Sequence, residues 1–275
     1  MKKFISTLAA SLMAVSALTA VSASALNVKT DNTLTITTKS IKNEVTADNG
    51  TVIPAGATSV TVSISGNTGF SGKSVKLDIG SADIIVDESG TPIVDSGDVL
   101  GNSLISSAEN NGIVMLAAAS ADELNSDGEM FTFYVASDSA EVSVIDVDAE
   151  VAVTDTVMPM ASLHSYKIGD VTGDGYINAI DSTHILMAID EYRKTIGAAE
   201  NADVSLPVYV ANGSLTKYFP YDSIERAETA DCDKNNMIKK DDAQYVLEYY
   251  AKLSVGKAPE DIHIAHVGEK VYWIE

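Results

Sequence analysis

Two stretches of the chain space their oxygen-bearing side chains as a calcium loop does. In GDVTGDGYINAID, Asp170, Thr172, Asp174, Gly175, Tyr176, Asn178 and Asp181 take positions 1, 3, 5, 6, 7, 9 and 12 of a twelve-residue loop. A loop wrapped round a hard cation must send oxygens inward at alternate positions, turn sharply at position 6, and close with a carboxylate from the incoming helix. Tyr176 would offer its backbone carbonyl, and Asn178 would act directly or through water. Thr172 is a neutral hydroxyl where Asp or Asn is usual, and Asp181 is shorter than the usual Glu. In the second stretch, DCDKNNMIKKDD, Asp231, Asp233, Asn235, Asn236, Met237 and Asp242 fall at positions 1, 3, 5, 6, 7 and 12. Asn236 stands where glycine is usual, which is tolerable because Asn enters the left-handed region more readily than other side chains. Lys239, at position 9, cannot ligate. A register of this kind seldom arises twice by chance, so two calcium ions are expected. Ile177 and Ile238 share position 8, where paired loops are expected to meet through a short strand contact.

Composition favours the same ligand chemistry. The 275 residues hold 39 Asp and Glu against 18 Lys and Arg, a net charge of −21, which repels nucleic acid and anionic membrane. One Cys and four His leave little with which to build a disulfide framework or a transition-metal site. Cys232 sits at loop position 2, facing away from a bound ion, and reads as a bystander. His263 and His266 read as surface residues.

The elements that must position these loops follow from periodicity. Ile185, Leu186 and Ile189, then Val246, Leu247 and Tyr250, recur at helical intervals after each loop, so each loop feeds a helix with one buried stripe. The segment before the first loop, with Pro159, Ser162, Ser165 and Gly169, carries no helical stripe. Between the two copies lies an insertion at about 192–226; Leu206–Val210 and Tyr218–Tyr221 suggest a small hairpin there. The tail 257–275 ends in Val271-Tyr272-Trp273-Ile274, placed to tie the two ends of the module together.

Upstream, residues 26–155 have a period of two. Thr33–Thr37, Val60–Ile64, Val75–Ile79 and Phe131–Val135 alternate apolar with polar residues, and turn signals such as Asp48-Asn49-Gly50 and Asn110-Asn111-Gly112 separate them. Such a run of short strands predicts an all-β sandwich. Ile113–Ala119 is apolar on both faces, as in a strand that is covered on both sides or offers an apolar surface to a partner. Residues 1–25, with Lys2 and Lys3 before an uncharged run ending Ala23-Ser24-Ala25, predict a secretory signal peptide and an extracellular protein.

The strings TSVTVSISGNTGFSGKSVKLDI, SGDVLGN, NNGIVMLAAAS and DGEMFTFYV resemble, in order, a cohesin, the jelly-roll receptor module of bacterial polysaccharide-degrading complexes. That resemblance implies a dockerin-binding sheet face carrying Ser74, Lys76, Met115, Ala117 and Ala119. Plain core burial of Met115 and its neighbours is an equal alternative. GDVTGDGYINAID and DDAQYVLEYYAKL resemble a dockerin, a mainly α module whose two EF-hand-like loops each feed one helix. By that resemblance the cohesin-binding positions are Ala179, Ile180, Leu186, Met187 and Glu191 on the first copy, and Lys240, Asp241, Leu247, Glu248 and Lys252 on the second. Leu186 and Leu247 equally suit packing of the helix pair. One face is apolar and the other charged, so a single dominant docking orientation is expected.

The order signal peptide (1–25), cohesin-like sandwich (26–155), linker (156–167) and dockerin-like module (168–256) resembles a small adaptor scaffoldin of the ruminococcal kind. Such a protein is no enzyme: its dockerin docks on the cohesin of a larger scaffoldin, and its own cohesin captures a dockerin-bearing enzyme or other component. Two other readings share parts of this pattern. A carbohydrate-binding module would share the sandwich but needs exposed aromatic faces, and the segment has only Phe70, Phe131, Phe133 and Tyr134. A catalytic sandwich lacks a His, Ser or Cys constellation, and its neighbouring acids Asp122 and Glu123 point to opposite faces of a strand.

Overall fold

The computed structural model describes residues 33–150, 165–213, 215–219 and 225–272. The expected signal peptide, the expected linker as far as 164 and parts of the insertion and tail lie outside them. The N-terminal half contains β1 (Thr33–Ser40), β2 (Val45–Thr46), β3 (Val52–Ile53), β4 (Thr58–Ser65), β5 (Phe70–Asp78), β6 (Val94–Ser96), β7 (Leu104–Asn110), β8 (Ile113–Leu124), β9 (Gly128–Val135) and β10 (Ser143–Glu150). Two antiparallel four-stranded sheets stack face to face, ordered β1-β4-β9-β6 and β10-β5-β8-β7.

Alternation sets the inner faces. Along β4 buried and half-buried residues alternate, with Val60, Val62 and Ile64 meeting Phe131, Phe133 and Val135 of β9 and Val75 and Leu77 of β5 in one core. Between β7 and β8 the two-residue turn Asn111-Gly112 has positive φ at both positions (52° and 79°), which matches the right-handed twist of its strands. A Cβ at Gly112 would lie 2.1 Å from the Gly80 carbonyl oxygen, so only glycine fits.

The C-terminal half comprises β11 (Ser165–Lys167), α1 (Ala179–Thr195), β12 (Leu206–Pro207), α2 (Val208–Gly213), α3 (Leu215–Tyr218), α4 (Glu225–Ala230), β13 (Met237–Ile238), α5 (Lys240–Ser254), a 3-10 turn (Pro259–Asp261) and β14 (Lys270–Tyr272). β11 pairs antiparallel with β14, with Tyr166 opposite Val271, and this joins the two ends of the half. The linker expected to reach 167 therefore stops short of Ser165. The tail beyond 256 is part of the packed body, with Ile262, Ile264 and Val267 buried in the same cluster as Val246 and Leu247.

Among its described residues the insertion forms no hairpin. Leu206-Pro207 forms a short strand, α2 and α3 follow, and Leu206, Val208, Ala211, Tyr218 and Phe219 bury against the helices. Leu206 pairs with Ile238, the residue expected to meet Ile177. The insertion thus takes the strand edge that the two loops would otherwise share.

The halves pack together. α1 lies against β5 and β8, α5 against β7 and β8, and a single apolar cluster joins Leu104, Ala117 and Ala119 of the sandwich to Ala179, Ile185, Val246 and Leu247.

Candidate interaction face and acidic loops

β8 explains why its sequence is apolar on both sides. Val114, Leu116 and Ala118 enter the sandwich core, while Met115, Ala117 and Ala119 point outward and are equally buried, at most 3% exposed. Their cover is the C-terminal half. Met115 and Ala108 of β7 pack with Ala251 of α5 and Val255 just beyond it, and Ala117 and Ala119 share the larger cluster with α1 and α5. Ser74 and Lys76 lie on the same face of β5. The Ser74 hydroxyl is 2.9 Å from the Tyr250 hydroxyl, and Lys76 lines an adjacent cleft of about 160 Å³ with Asp146, Asp148 and Tyr250. All five residues assigned to this face by resemblance therefore stand where the halves meet.

Polar contacts fix the register of the joint. Thr183 Oγ1 donates to the Ser71 carbonyl at 3.1 Å, Asn110 Nδ2 to the Val255 carbonyl at 3.0 Å, and Gln244 Nε2 to the Ile105 carbonyl at 3.3 Å. Gly72 makes the closest approach possible: a Cβ there would lie 3.2 Å from the Ala179 carbonyl carbon and 3.3 Å from the Ala179 Cβ. Sequence reasoning overlooked these partners. The interior glycine of β5 was the available signal, because a strand glycine often marks the approach of another backbone. Beside the joint, burial draws the Lys73 ammonium down to about 8 against the opposing pull of Asp148, and it lies 5.2 Å from the centre of the Phe70 ring.

The ten helix positions divide unevenly. Ala179 and Ile180 are buried at the joint, Leu186 packs against the shared cluster, and Met187 and Glu191 are half-buried. On α5, Lys240 and Asp241 are exposed. Leu247 is fully buried in the cluster, and Glu248, which accepts from Gln244 Nε2, is half-buried like Lys252. The helix end that reaches the sandwich from the second copy is Tyr250, Ala251 and Val255 instead.

The two acidic loops fold on one hydrogen-bond plan. Asp170 accepts from the amides of Gly173 (2.7 Å) and Gly175 (3.1 Å); Asp231 accepts from those of Asn235 (3.0 Å) and Asn236 (2.7 Å). At position 12, Asp181 accepts from the amides of Thr172 (2.8 Å) and Asn178 (2.9 Å), and Asp242 from those of Cys232 (2.8 Å) and Lys239 (2.8 Å). Asn178 caps α1 by accepting from the Ile180 amide. Position 6 is left-handed in both copies, with φ of 92° at Gly175 and 65° at Asn236.

Carboxylates crowd as a result. Single oxygens of Asp231, Asp233 and Asp242 all lie within 4.8 Å of one another. In the first loop Asp174 accepts from the Tyr176 amide, and the buried Thr172 hydroxyl has no hydrogen-bond partner. Asn235 and Met237 follow in the second loop, where the Asn235 side chain accepts from the Met237 amide. Burial, then Asp170 and Asp174, holds the Asp181 carboxyl well above the ordinary range. Burial raises Asp231 too, with Asp233 adding to it, and burial with Asp233 and Asp231 pushes Asp242 up to about 7. These acids favour a neutralising proton or cation.

Elsewhere, Cys232 is fully buried and its thiol is raised by burial, and His266 Nδ1 is 2.9 Å from Glu269. Phe70, Phe131 and Phe133 are fully buried and Tyr134 nearly so, so none of the sandwich's named aromatics offers a sugar platform. Among the described residues no helix is long and apolar enough to cross a membrane.

No family model and no curated protein matches the chain. Among solved structures it is similar to a type III cohesin module from the cell-surface anchoring scaffoldin ScaE of Ruminococcus flavefaciens: 20% identity, 50% of this chain, 77% of that one, TM-score 0.32. A non-cellulosomal cohesin from the archaeon Archaeoglobus fulgidus is 13% identical over 43% of this chain and 84% of that one, TM-score 0.29. The second type II cohesin module of the adaptor scaffoldin ScaA from Acetivibrio cellulolyticus is 19% identical over 40% and 75%, TM-score 0.28.

Proposed function

We propose that the protein is a secreted, non-catalytic connector of a polysaccharide-degrading complex, with a cohesin-like socket in its N-terminal half and a dockerin-like plug in its C-terminal half. One observation carries this reading. The outward face of β5, β8 and β7 is apolar where a sandwich normally meets water, and it holds a module built from two loop-helix repeats. A sheet face that accepts such a module is a receptor surface, and the module that fits it is a ligand for surfaces of the same kind. The plug would dock on the cohesin of a larger scaffold, and the socket would take the dockerin of an enzyme or other component.

The loops fit calcium. The orphaned Thr172 hydroxyl, the converging oxygens of Asp231, Asp233 and Asp242, and the raised acids describe hard-oxygen sites that gain by losing protons to a cation. Asp170, Thr172, Asp174, Asn178 and Asp181 with the Tyr176 carbonyl would hold one ion. Asp231, Asp233, Asn235 and Asp242 with the Met237 carbonyl would hold the other. Bound calcium supplies positive charge that neutralises the crowded acids. Asp181 and Asp242 also accept from the amides that open α1 and α5, so ordering the loops sets the helix starts, including Ala179 and Ile180 at the joint.

The test is capture by the immobilised full chain. Purified dockerin and cohesin modules from cellulosomal proteins, and insoluble cellulose, xylan and starch, are each applied in calcium and in EGTA. Calcium-dependent retention of modules with no retention on polysaccharide is expected. Retention on polysaccharide with no module captured would replace the connector by a carbohydrate-binding protein.

A further inference from the structure

The joint covers the socket face and, of the assigned plug positions, Ala179 and Ile180 at the start of α1. The outward side chains of the sandwich, Ser74, Met115, Ala117 and Ala119, are covered by the same α1 and α5 that present Ala179, Ile180, Tyr250 and Val255. We propose that the resting chain is sealed on itself, plug in its own socket, and that filling either half with an outside partner releases the other. The inference rests on the connector reading and adds an order of assembly to it.

Three features favour a seal within one chain that opens. Residues 151–164 are all that join the halves, and a tether of that length spans at most roughly 50 Å, which keeps plug and socket at effective concentrations on the order of millimolar. The seal contains direct side-chain to backbone bonds and a glycine-to-backbone approach, so it is specific. It is also incomplete: a polar cleft of about 160 Å³ persists beside Ser74, Lys76 and Tyr250, which a better-fitting plug can fill. Since one contact closes the socket and the Ala179–Ile180 part of the plug, an outside partner that needs either must favour exposure of the other by the same factor. A chain that has captured cargo then becomes the chain most able to dock.

Two complementary variants test this without an outside partner. Gly72→Arg drives a side chain into the Ala179 backbone and spoils the socket while leaving the plug free. Ala179→Arg spoils the plug and leaves the socket free. Each variant alone, and the parent, should sediment as a monomer in calcium. An equimolar mixture of the two variants should form a 1:1 heterodimer, and the parent should bind either variant at least tenfold more weakly.

Parent binding as tight as that between the variants would overturn the seal. So would a concentration-dependent parent oligomer, which would place the contact between copies, or an unassociated mixture of folded variants. The last result leaves capture of outside modules to be judged by the experiment above. Should either arginine variant fail to fold, Gly72→Cys with Ala179→Cys in a Cys232→Ala chain decides the matter. A Cβ separation of 3.3 Å is slightly below the usual 3.5–4.5 Å for a disulfide, within reach of a small adjustment. The bond should form within single chains, and reducing it should at least double the capture of whichever arginine variant folds, Gly72→Arg by its plug or Ala179→Arg by its socket. Cross-links only between chains, or capture unaffected by reduction, would refute the proposal.

Discussion

In the first loop-helix copy the chain leaves position 12 straight into the sandwich: Asp181 is followed within one turn by Thr183, bonded to Ser71, and preceded by Ala179 and Ile180, both buried at the joint. In the second copy the corresponding residues Lys240 and Asp241 are exposed, and contact begins further along, at Gln244 bonded to Ile105, and continues through Tyr250, Ala251 and Val255. The hydrogen bonds inside the two loops are nearly superposable in plan. The repeat therefore governs how the loop carboxylates are held, and the face of each helix that meets the sheet is decided by where the helix lies across β5, β8 and β7. An apolar helix start and a charged one suit this division, because only the first has to be buried.

Removing position 1 from both loops should have the largest effect. Asp170→Ala with Asp231→Ala strips the carboxylate that organises each loop, and calcium should then cause no change in circular dichroism or in heat; a surviving response would detach the ion from these loops. The asymmetry between helix starts is sharper in a chain cut within 151–164. There Ile180→Asp, which buries an unpaired charge at a cost on the order of 3 kcal/mol, should weaken association of the halves by roughly 100-fold. Lys240→Ala should change it by no more than about twofold. Equal losses would erase the distinction between the copies.

Proton dependence separates the loops from the joint. Asp242 has a folded value of about 7 against an ordinary 3.8, so the folded calcium-free chain binds the proton more tightly than the unfolded one. Asp181 and Asp231 are shifted in the same direction. The contribution of these acids is fully favourable at low pH and is lost as pH rises through about 7. The calcium-free melting temperature of the C-terminal half should therefore be higher at pH 5 than at pH 8, and saturating calcium should reverse the order. A melting temperature independent of pH without calcium would show that the acids are not crowded. The smallest expected effect is that of Tyr250→Phe, which removes the bond to Ser74 and should weaken association of the cut halves by about fivefold, near 1 kcal/mol.

Much of this was legible in the residues. Alternation located β4, β5 and β9, and the positive-φ positions Gly175 and Asn236 follow from the loop register. The double-sided burial of β8 was visible too, but an apolar strand face shows that something covers it and not what. Thr183 and Gln244 carried no local sign of their partners, and Gly72 signalled a close approach without saying by what, since those partners lie more than 100 residues away in sequence. β6 and β2 with β3 are too short for alternation to register. The insertion misled because Leu206-Pro207 has strand character with no sequence neighbour to pair with; its partner, Ile238, was assigned to the other loop.

The most direct measurement places a protease site within 151–164, cuts the full chain, and follows the two pieces by sedimentation in calcium and in EGTA. The pieces should travel together in calcium and separate when the ion is removed. Pieces that part in calcium would contradict the plug-and-socket account, and pieces that stay joined in EGTA would contradict its dependence on the acidic loops.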